Sequence, residues 1–212
     1  FMPFNRLKIK NKKEIVTFDN LKLDVEKFSG KHVNSFDWNN LINRGSRMSM
    51  CNDVNTLISQ GDVWTNSPKY QTNVNMFGLA NENWTNLKMS FIFSCFAFMK
   101  REVKIKNIQS WSYRTSLKDA EDRDTLWHHH DHNPDTTTVS GVYYMHLPIA
   151  GEVVGPQTAG TELAPNGPEG DGKYFTPWRE GHWMIYPGKI WHRPGILHTD
   201  EDRYIVAADM EF

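Results

Sequence analysis

The sequence predicts a mainly β fold, an antiparallel sandwich or barrel with helices on one side. Two observations carry this: one long amphipathic helix signal begins near Asn81, and six segments of strand character follow it. Taken in order, residues 7 to 28 hold the alternating segments Leu7-Lys8-Ile9-Lys10 and Ile15-Val16-Thr17-Phe18, which predict strands on a half-exposed surface. Lys8, Lys10, Lys12 and Lys13 then read as a solvated edge that resists strand addition. Ser35 ahead of Phe36-Asp37-Trp38 predicts a helix cap, with Trp38, Leu41 and Ile42 on one face before Gly45, and a second short helix fits Asp53 to Ser59. From Asn81 the spacing Trp84, Leu87, Phe91, Cys95, Phe98, widened by Ile92, Phe96 and Met99, predicts a helix packed on a sheet, with Lys100 and Arg101 complementing its dipole. The strand candidates are Ile108 to Tyr113, Asp124 to His130, Thr136 to Leu147, His182 to Tyr186, Ile190 to His192 and Arg203 to Phe212. Between them, Ile149 to Gly181 is rich in Gly and Pro and reads as a mobile lid or a surface loop.

Composition excludes several function classes. Lys plus Arg number 24 against 25 Asp plus Glu, a formal charge of -1, so no nucleic-acid or membrane-surface footprint is expected. The longest apolar run, Met89 to Met99, falls well short of the roughly 20 residues that a membrane span needs. Cys51 and Cys95 cannot organise a disulfide framework, and no signal-peptide pattern is visible. Phe1 ahead of Met2 points to Met2 as the native start, so a cytoplasmic location is expected. At 212 residues without a fixed-period repeat, a single domain is expected: N-terminal additions over 1–80, a supporting helix over 81–101 and a β core over 105–212.

Chemistry is concentrated in a histidine cluster. His128, His129, His130, His132 and His146 fall close together, and residues two apart on a strand share a face. A metal pair could therefore be His129 with Asp131, or neighbours among His128, His130 and His132, with His192, just past the turn Pro187-Gly188, as the third ligand. Two histidines and a carboxylate on one face of an octahedron leave three adjacent positions open, as in non-haem Fe(II) oxygenases. Structural zinc would want four protein ligands, usually including Cys, and both cysteines are remote from the cluster. Arg203 offers a planar, permanently charged fork for a carboxylate.

The stretch Trp127 to Tyr144, with His-x-Asp at His129 and Asp131, a polar turn and Ser-Gly-Val-Tyr-Tyr, resembles the iron- and 2-oxoglutarate-dependent dioxygenase superfamily, its small bacterial and phage members in particular. Gly160-Thr161-Glu162, the segment Tyr186 to His192 and the Arg-led strand from Arg203 are similar to further elements of that family, in order. The resemblance implies a double-stranded β-helix (jelly-roll, cupin-like) core over 105–212. It also implies Fe(II) held by His129, Asp131 and His192, with 2-oxoglutarate held by Arg203 and Tyr144, and O2 as oxidant. The implied reaction is oxidative decarboxylation of 2-oxoglutarate to succinate and CO2 coupled to hydroxylation of a small molecule or peptide. The overlapping register His130 and His132 stays open beside His129 and Asp131, because a one-residue slip exchanges the set. Two alternatives remain: a cupin-type metalloenzyme without 2-oxoglutarate, and a non-catalytic β-sandwich module that binds through Trp178, Trp183 and Trp191.

Overall fold

A computed structural model describes residues 14–18, 21–27, 32–65, 69–115, 126–148, 160–176, 179–195 and 201–212. The N-terminal third supplies β1 (Glu14–Phe18), β2 (Leu21–Lys27), β3 (Asn34–Asp37), α1 (Arg44–Gln60), β4 (Val63–Thr65) and β5 (Lys69–Thr72). The supporting helix α2 (Glu82–Met99) leads into β6 (Asn107–Thr115), β7 (Thr138–His146), β8 (Thr161–Ala164), β9 (Tyr174–Phe175), β10 (His182–Pro187), β11 (Trp191–Pro194) and β12 (Arg203–Glu211). These strands form a nine-stranded sheet in the order β1-β2-β3-β10-β7-β12-β6-β5-β4 and a three-stranded sheet in the order β11-β8-β9. Every strand pair is antiparallel.

Alternation along the central strands sorts the chain into two cores. Val139, Tyr143 and Met145 of β7, Trp183 and Ile185 of β10, and Val206, Ala208 and Met210 of β12 join Trp84, Leu87, Phe91 and Cys95 of α2 in one apolar cluster. The residues between them, Val142, Tyr144, Met184, Tyr186 and Ile205, face the small sheet and pack with Leu163 of β8. Fully burying a side chain such as Phe91 contributes roughly 1.5–3 kcal/mol, so the α2 stripe is a main source of stability. Two indole N–H groups in this core donate to helix serines: Trp183 Nε1 to Ser90 Oγ at 2.8 Å and Trp38 Nε1 to Ser94 Oγ at 2.9 Å. That explains why an apolar helix carries fully buried serines.

Gly141, in the middle of the Ser-Gly-Val-Tyr-Tyr run, lets α2 approach the sheet. A Cβ there would lie 2.7 Å from Ile185 Cδ1, 2.9 Å from Phe91 Cε2 and 3.1 Å from Trp183 Cε3. Gly141→Ala is expected to destabilise the fold by about 1–3 kcal/mol through overpacking. Denaturant unfolding with an unchanged midpoint would show that α2 is free to back away.

The central strands and α2 fall where the sequence predicts them, and four expectations are corrected. Residues 35–42 are not a helix: Asn34–Asp37 is a strand paired with β2 and β10. The helix instead starts after Asn43, whose side chain accepts from Ser46 N at 3.0 Å, and runs through Gly45 and the whole of Asp53 to Ser59 as far as Gln60, with Gly61 as its cap. Its buried stripe, Arg47, Met50, Cys51, Val54 and Leu57, begins with a cation, and this hides the apolar period. Arg47 is satisfied by the Ile42 and Met145 carbonyls and Glu180. The strand expected from Asp124 reduces, among the described residues, to a single bridge at His128. Of the Gly- and Pro-rich segment, residues 149–159 and 177–178 lie outside the described residues, while Thr161–Ala164 and Tyr174–Phe175 are strands of the second sheet. Lys8, Lys10, Lys12 and Lys13 also lie outside the described residues. Trp183 is fully buried, which removes it from any binding surface; Trp178 is not described. No helix among the described residues is long and apolar enough to cross a membrane. Both cysteines are free and buried.

Candidate metal centre

The space between the two sheets holds a cleft with His128, His130 and His192 among its lining residues. One backbone pairing creates this group. His128 and His192 exchange reciprocal hydrogen bonds, His128 N to His192 O at 3.2 Å and His192 N to His128 O at 2.8 Å, and this sets their side chains beside each other. His130 lies two residues on and is held by its N–H to Gly188 O at 2.8 Å, so it faces the same way. The nitrogens that the three offer all lie within 4.8 Å of one another, and the ring centroids are 4.2 to 5.1 Å apart.

The ring nitrogens are already sorted for metal binding. His128 Nδ1 lies 2.7 Å from the Leu126 carbonyl, His192 Nδ1 3.0 Å from the Ile190 carbonyl, and His130 Nδ1 2.7 Å from Asp209 Oδ1. Each acceptor keeps a proton on Nδ1 and leaves the Nε2 lone pair for the cleft, as the hydrogen-bond partners of metal-bound histidines do. His192 is buried, and desolvation, with His128 and His130 beside it, holds its pKa well below the ordinary histidine range. The neutral imidazole that a metal requires is therefore the form the protein favours. Asp209 also accepts from Ser140 Oγ at 2.7 Å and is itself buried. Asp209→Asn is expected to weaken metal binding by about 10–100-fold without removing a ligand. Metal titration of the folded variant checks this, and unchanged affinity would reduce Asp209 to a packing role.

His129 and Asp131 are not part of this group. His129 faces away, its ring 4.6 Å from Trp191 and 4.5 Å from His132, and its Nδ1 is buried without a partner among the described residues. The alternation that joins His128 to His130 puts His129 and Asp131 on the other face, and Trp191 flanks His192 on that same face. Of the ligand set implied by the resemblance, this group contains His192 and neither His129 nor Asp131. His130 is shared with the other register considered, but His132 is exposed and lies with His129.

Arg203 lines the same cleft and is almost fully buried, with its guanidinium donating to the Gly195 carbonyl at 3.2 Å. On β12 it shares a face with Ile205 and Ala207, also in the cleft wall, and with Asp209 behind His130. One strand thus links the anion end of the cleft to the histidine end. Tyr144 is buried beside the cleft, not in its wall. Its hydroxyl is hydrogen-bonded to Thr161 Oγ1 at 3.0 Å and Thr176 Oγ1 at 3.1 Å, and burial raises its pKa, keeping it protonated. Thr161 does line the cleft, so Tyr144 sets the position of a wall residue. The wall also includes Lys69, Trp111, Tyr113 and Thr115, none of which the sequence singled out. The alternation of β6 was the available signal for the last three; Lys69 had none.

No family model matches the chain. Solved structures do share its fold. A prolyl-4-hydroxylase from Pseudomonas putida aligns with a TM-score of 0.57 at 9% identity, covering 86% of this chain and 93% of its own. SnoN, a non-haem alpha-ketoglutarate-dependent epimerase from nogalamycin biosynthesis, aligns at 0.60 with 11% identity, over 84% and 77%. A prolyl hydroxylase from Trichoplax adhaerens, in complex with a hypoxia inducible factor peptide fragment, aligns at 0.56 with 11% identity, over 86% and 84%. The fold is the double-stranded β-helix of these proteins, with the nine-stranded sheet as its larger wall.

Proposed function

We propose that this chain is a non-haem Fe(II) and 2-oxoglutarate-dependent oxygenase that hydroxylates a small molecule or peptide, with His128, His130 and His192 as its metal ligands. The observation that carries the reading is the convergence of three imidazoles, each with Nδ1 tied off, in a cleft that also contains a buried guanidinium. Three nitrogen donors on one side of an ion leave positions for a chelating oxo-acid and dioxygen. Bound iron, 2-oxoglutarate and O2 would supply the oxidation itself, with succinate and CO2 as co-products.

The chain's own residues do the rest. Arg203 would hold the distal carboxylate of the co-substrate through charge-assisted hydrogen bonds. Thr115, paired with Arg203 across β12 and β6, carries a buried hydroxyl with no partner among the described residues, which a bound carboxylate would satisfy. Thr161, braced by Tyr144, closes the same end. Trp111, Val142, Ile205 and Ala207 exclude water, which strengthens every polar contact inside. With both cysteines free and buried, the reading includes a cytoplasmic setting.

A specific observation favours a second reading, a metalloenzyme that does not use 2-oxoglutarate: among the described residues the ligand group holds no carboxylate. Asp209, bonded to His130, supplies the negative charge one shell out, and the buried Arg203 decides between the two. The test is Fe(II)-dependent conversion of 2-oxoglutarate to succinate by the purified protein in air. Turnover that is lost on chelation and restored by Fe(II) is the expected result; metal binding with no succinate would favour the second reading.

A further inference from the structure

Among the described residues, buried indole N–H groups have acceptors except at Trp111. Trp38 donates to Ser94 Oγ, Trp84 to Asp53 Oδ2 at 2.8 Å and Trp183 to Ser90 Oγ. Trp111 lines the cleft, and its Nε1 is buried with no partner among the described residues. An unpaired buried donor destabilises a fold unless a bound group uses it. Strand β6 carries a second group of this kind. Thr115, further along on the same face, also lines the cleft, and its hydroxyl is buried without a partner among the described residues. The two have different neighbours. Thr115 stands across from Arg203 in the register of β6 with β12, whereas Trp111 stands across from Ala207 and its ring lies 5.5 Å from that of His130. Between them Tyr113 stands across from Ile205, so the middle of this wall is aromatic and aliphatic. At the rise of a strand the Cα atoms of Trp111 and Thr115 are about 13 Å apart, which leaves a short ligand room to touch both side chains.

We infer that Trp111 binds the metal-chelating end of the co-substrate, its indole N–H donating to a carboxylate oxygen there, while Thr115 and Arg203 take the distal carboxylate. This rests on the oxygenase reading for the identity of the ligand. A dicarboxylate carries acceptors at both ends and an apolar stretch between them, and β6 offers polar, apolar and polar side chains in that order. Three neutral imidazoles bring no negative charge to a metal, so the anionic ligand oxygen beside His130 is a strong acceptor for an indole N–H.

The experiment follows the indole N–H resonances of Zn(II)-loaded protein, labelled with nitrogen-15 at tryptophan, as 2-oxoglutarate or oxalate is added. Oxalate has the chelating end and no distal carboxylate, and Trp111→Phe identifies the Trp111 signal by its loss. Both ligands should move that signal downfield, further than any other indole, and slow its exchange with water. Trp111→Phe should weaken both ligands roughly tenfold to a hundredfold, the range for a hydrogen bond to a charged acceptor, with Zn(II) affinity unchanged. Arg203→Ala should weaken 2-oxoglutarate and spare oxalate. The inference is overturned if both ligands bind while the Trp111 signal stays in place, or if Trp111→Phe binds both as wild type does. It is equally overturned if that variant, folded, loses Zn(II), which would make Trp111 a packing residue of His130. Weakened 2-oxoglutarate with unchanged oxalate would also overturn it, by moving the contact to the distal carboxylate. If Trp111→Phe fails to fold, Trp111→Tyr identifies the signal and the wild-type shift decides. Failure of wild type to bind 2-oxoglutarate while it binds oxalate would instead overturn the oxygenase reading, and the oxalate shift would still report on Trp111.

Discussion

Alanine at His128, His130 or His192 is expected to abolish stoichiometric Fe(II) binding, while His129→Ala, Asp131→Ala and His132→Ala retain it. Loss of a residue that only orients a metal-bound histidine typically costs about 10–100-fold, so removal of one of three direct donors should cost more than about 100-fold. The geometry makes the contrast sharp. His128 is bridged to His192 in the backbone, and His130 is fixed by Asp209 behind it, whereas His129 packs on Trp191 on the opposite face. Titration with Fe(II) or Mn(II) on folded variants reads the result directly. Full binding in His130→Ala together with loss in Asp131→Ala would return the centre to the His129 and Asp131 register.

The second large effect belongs to Arg203. Truncating one partner of a buried charge pair costs about 2–5 kcal/mol, or some thirtyfold to several thousandfold in affinity. Arg203→Ala should therefore raise the dissociation constant for 2-oxoglutarate by at least that lower bound and leave metal content unchanged. Arg203→Lys should fall between, because an ammonium keeps the charge and loses the two-pronged geometry. Equal affinity in wild type and Arg203→Ala would separate the buried guanidinium from co-substrate binding and favour the metalloenzyme without 2-oxoglutarate.

What the sequence made legible follows from how strongly each residue's environment is encoded locally. The α2 stripe repeats over 18 residues, and β7, β10 and β12 are runs of strand-forming residues buried almost end to end, and they appear where expected. His192 and Arg203, both named from the sequence, line the cleft. Which histidines stand beside His192 there was not legible. In Trp-His-His-His-Asp-His both alternation frames offer metal-binding side chains, and the choice is made by the bridge to His192, a contact 64 positions away (192 minus 128) that no local pattern encodes. Helix α1 was misread for a related reason: its buried face opens with Arg47, whose partners Met145 and Glu180 are also distant in the chain. Asp209 carried a signal that could have been used, since it shares a strand face with Arg203 three alternations later.

The most direct measurement is anaerobic addition of Fe(II) and 2-oxoglutarate to the purified protein, followed by visible absorption. A co-substrate chelated to iron at the three histidines gives a weak charge-transfer band that appears only with both components present. The account predicts that band in wild type and in Asp131→Ala, and its absence in His130→Ala. No band in wild type with Fe(II) demonstrably bound, or a band lost in Asp131→Ala and kept in His130→Ala, would contradict it.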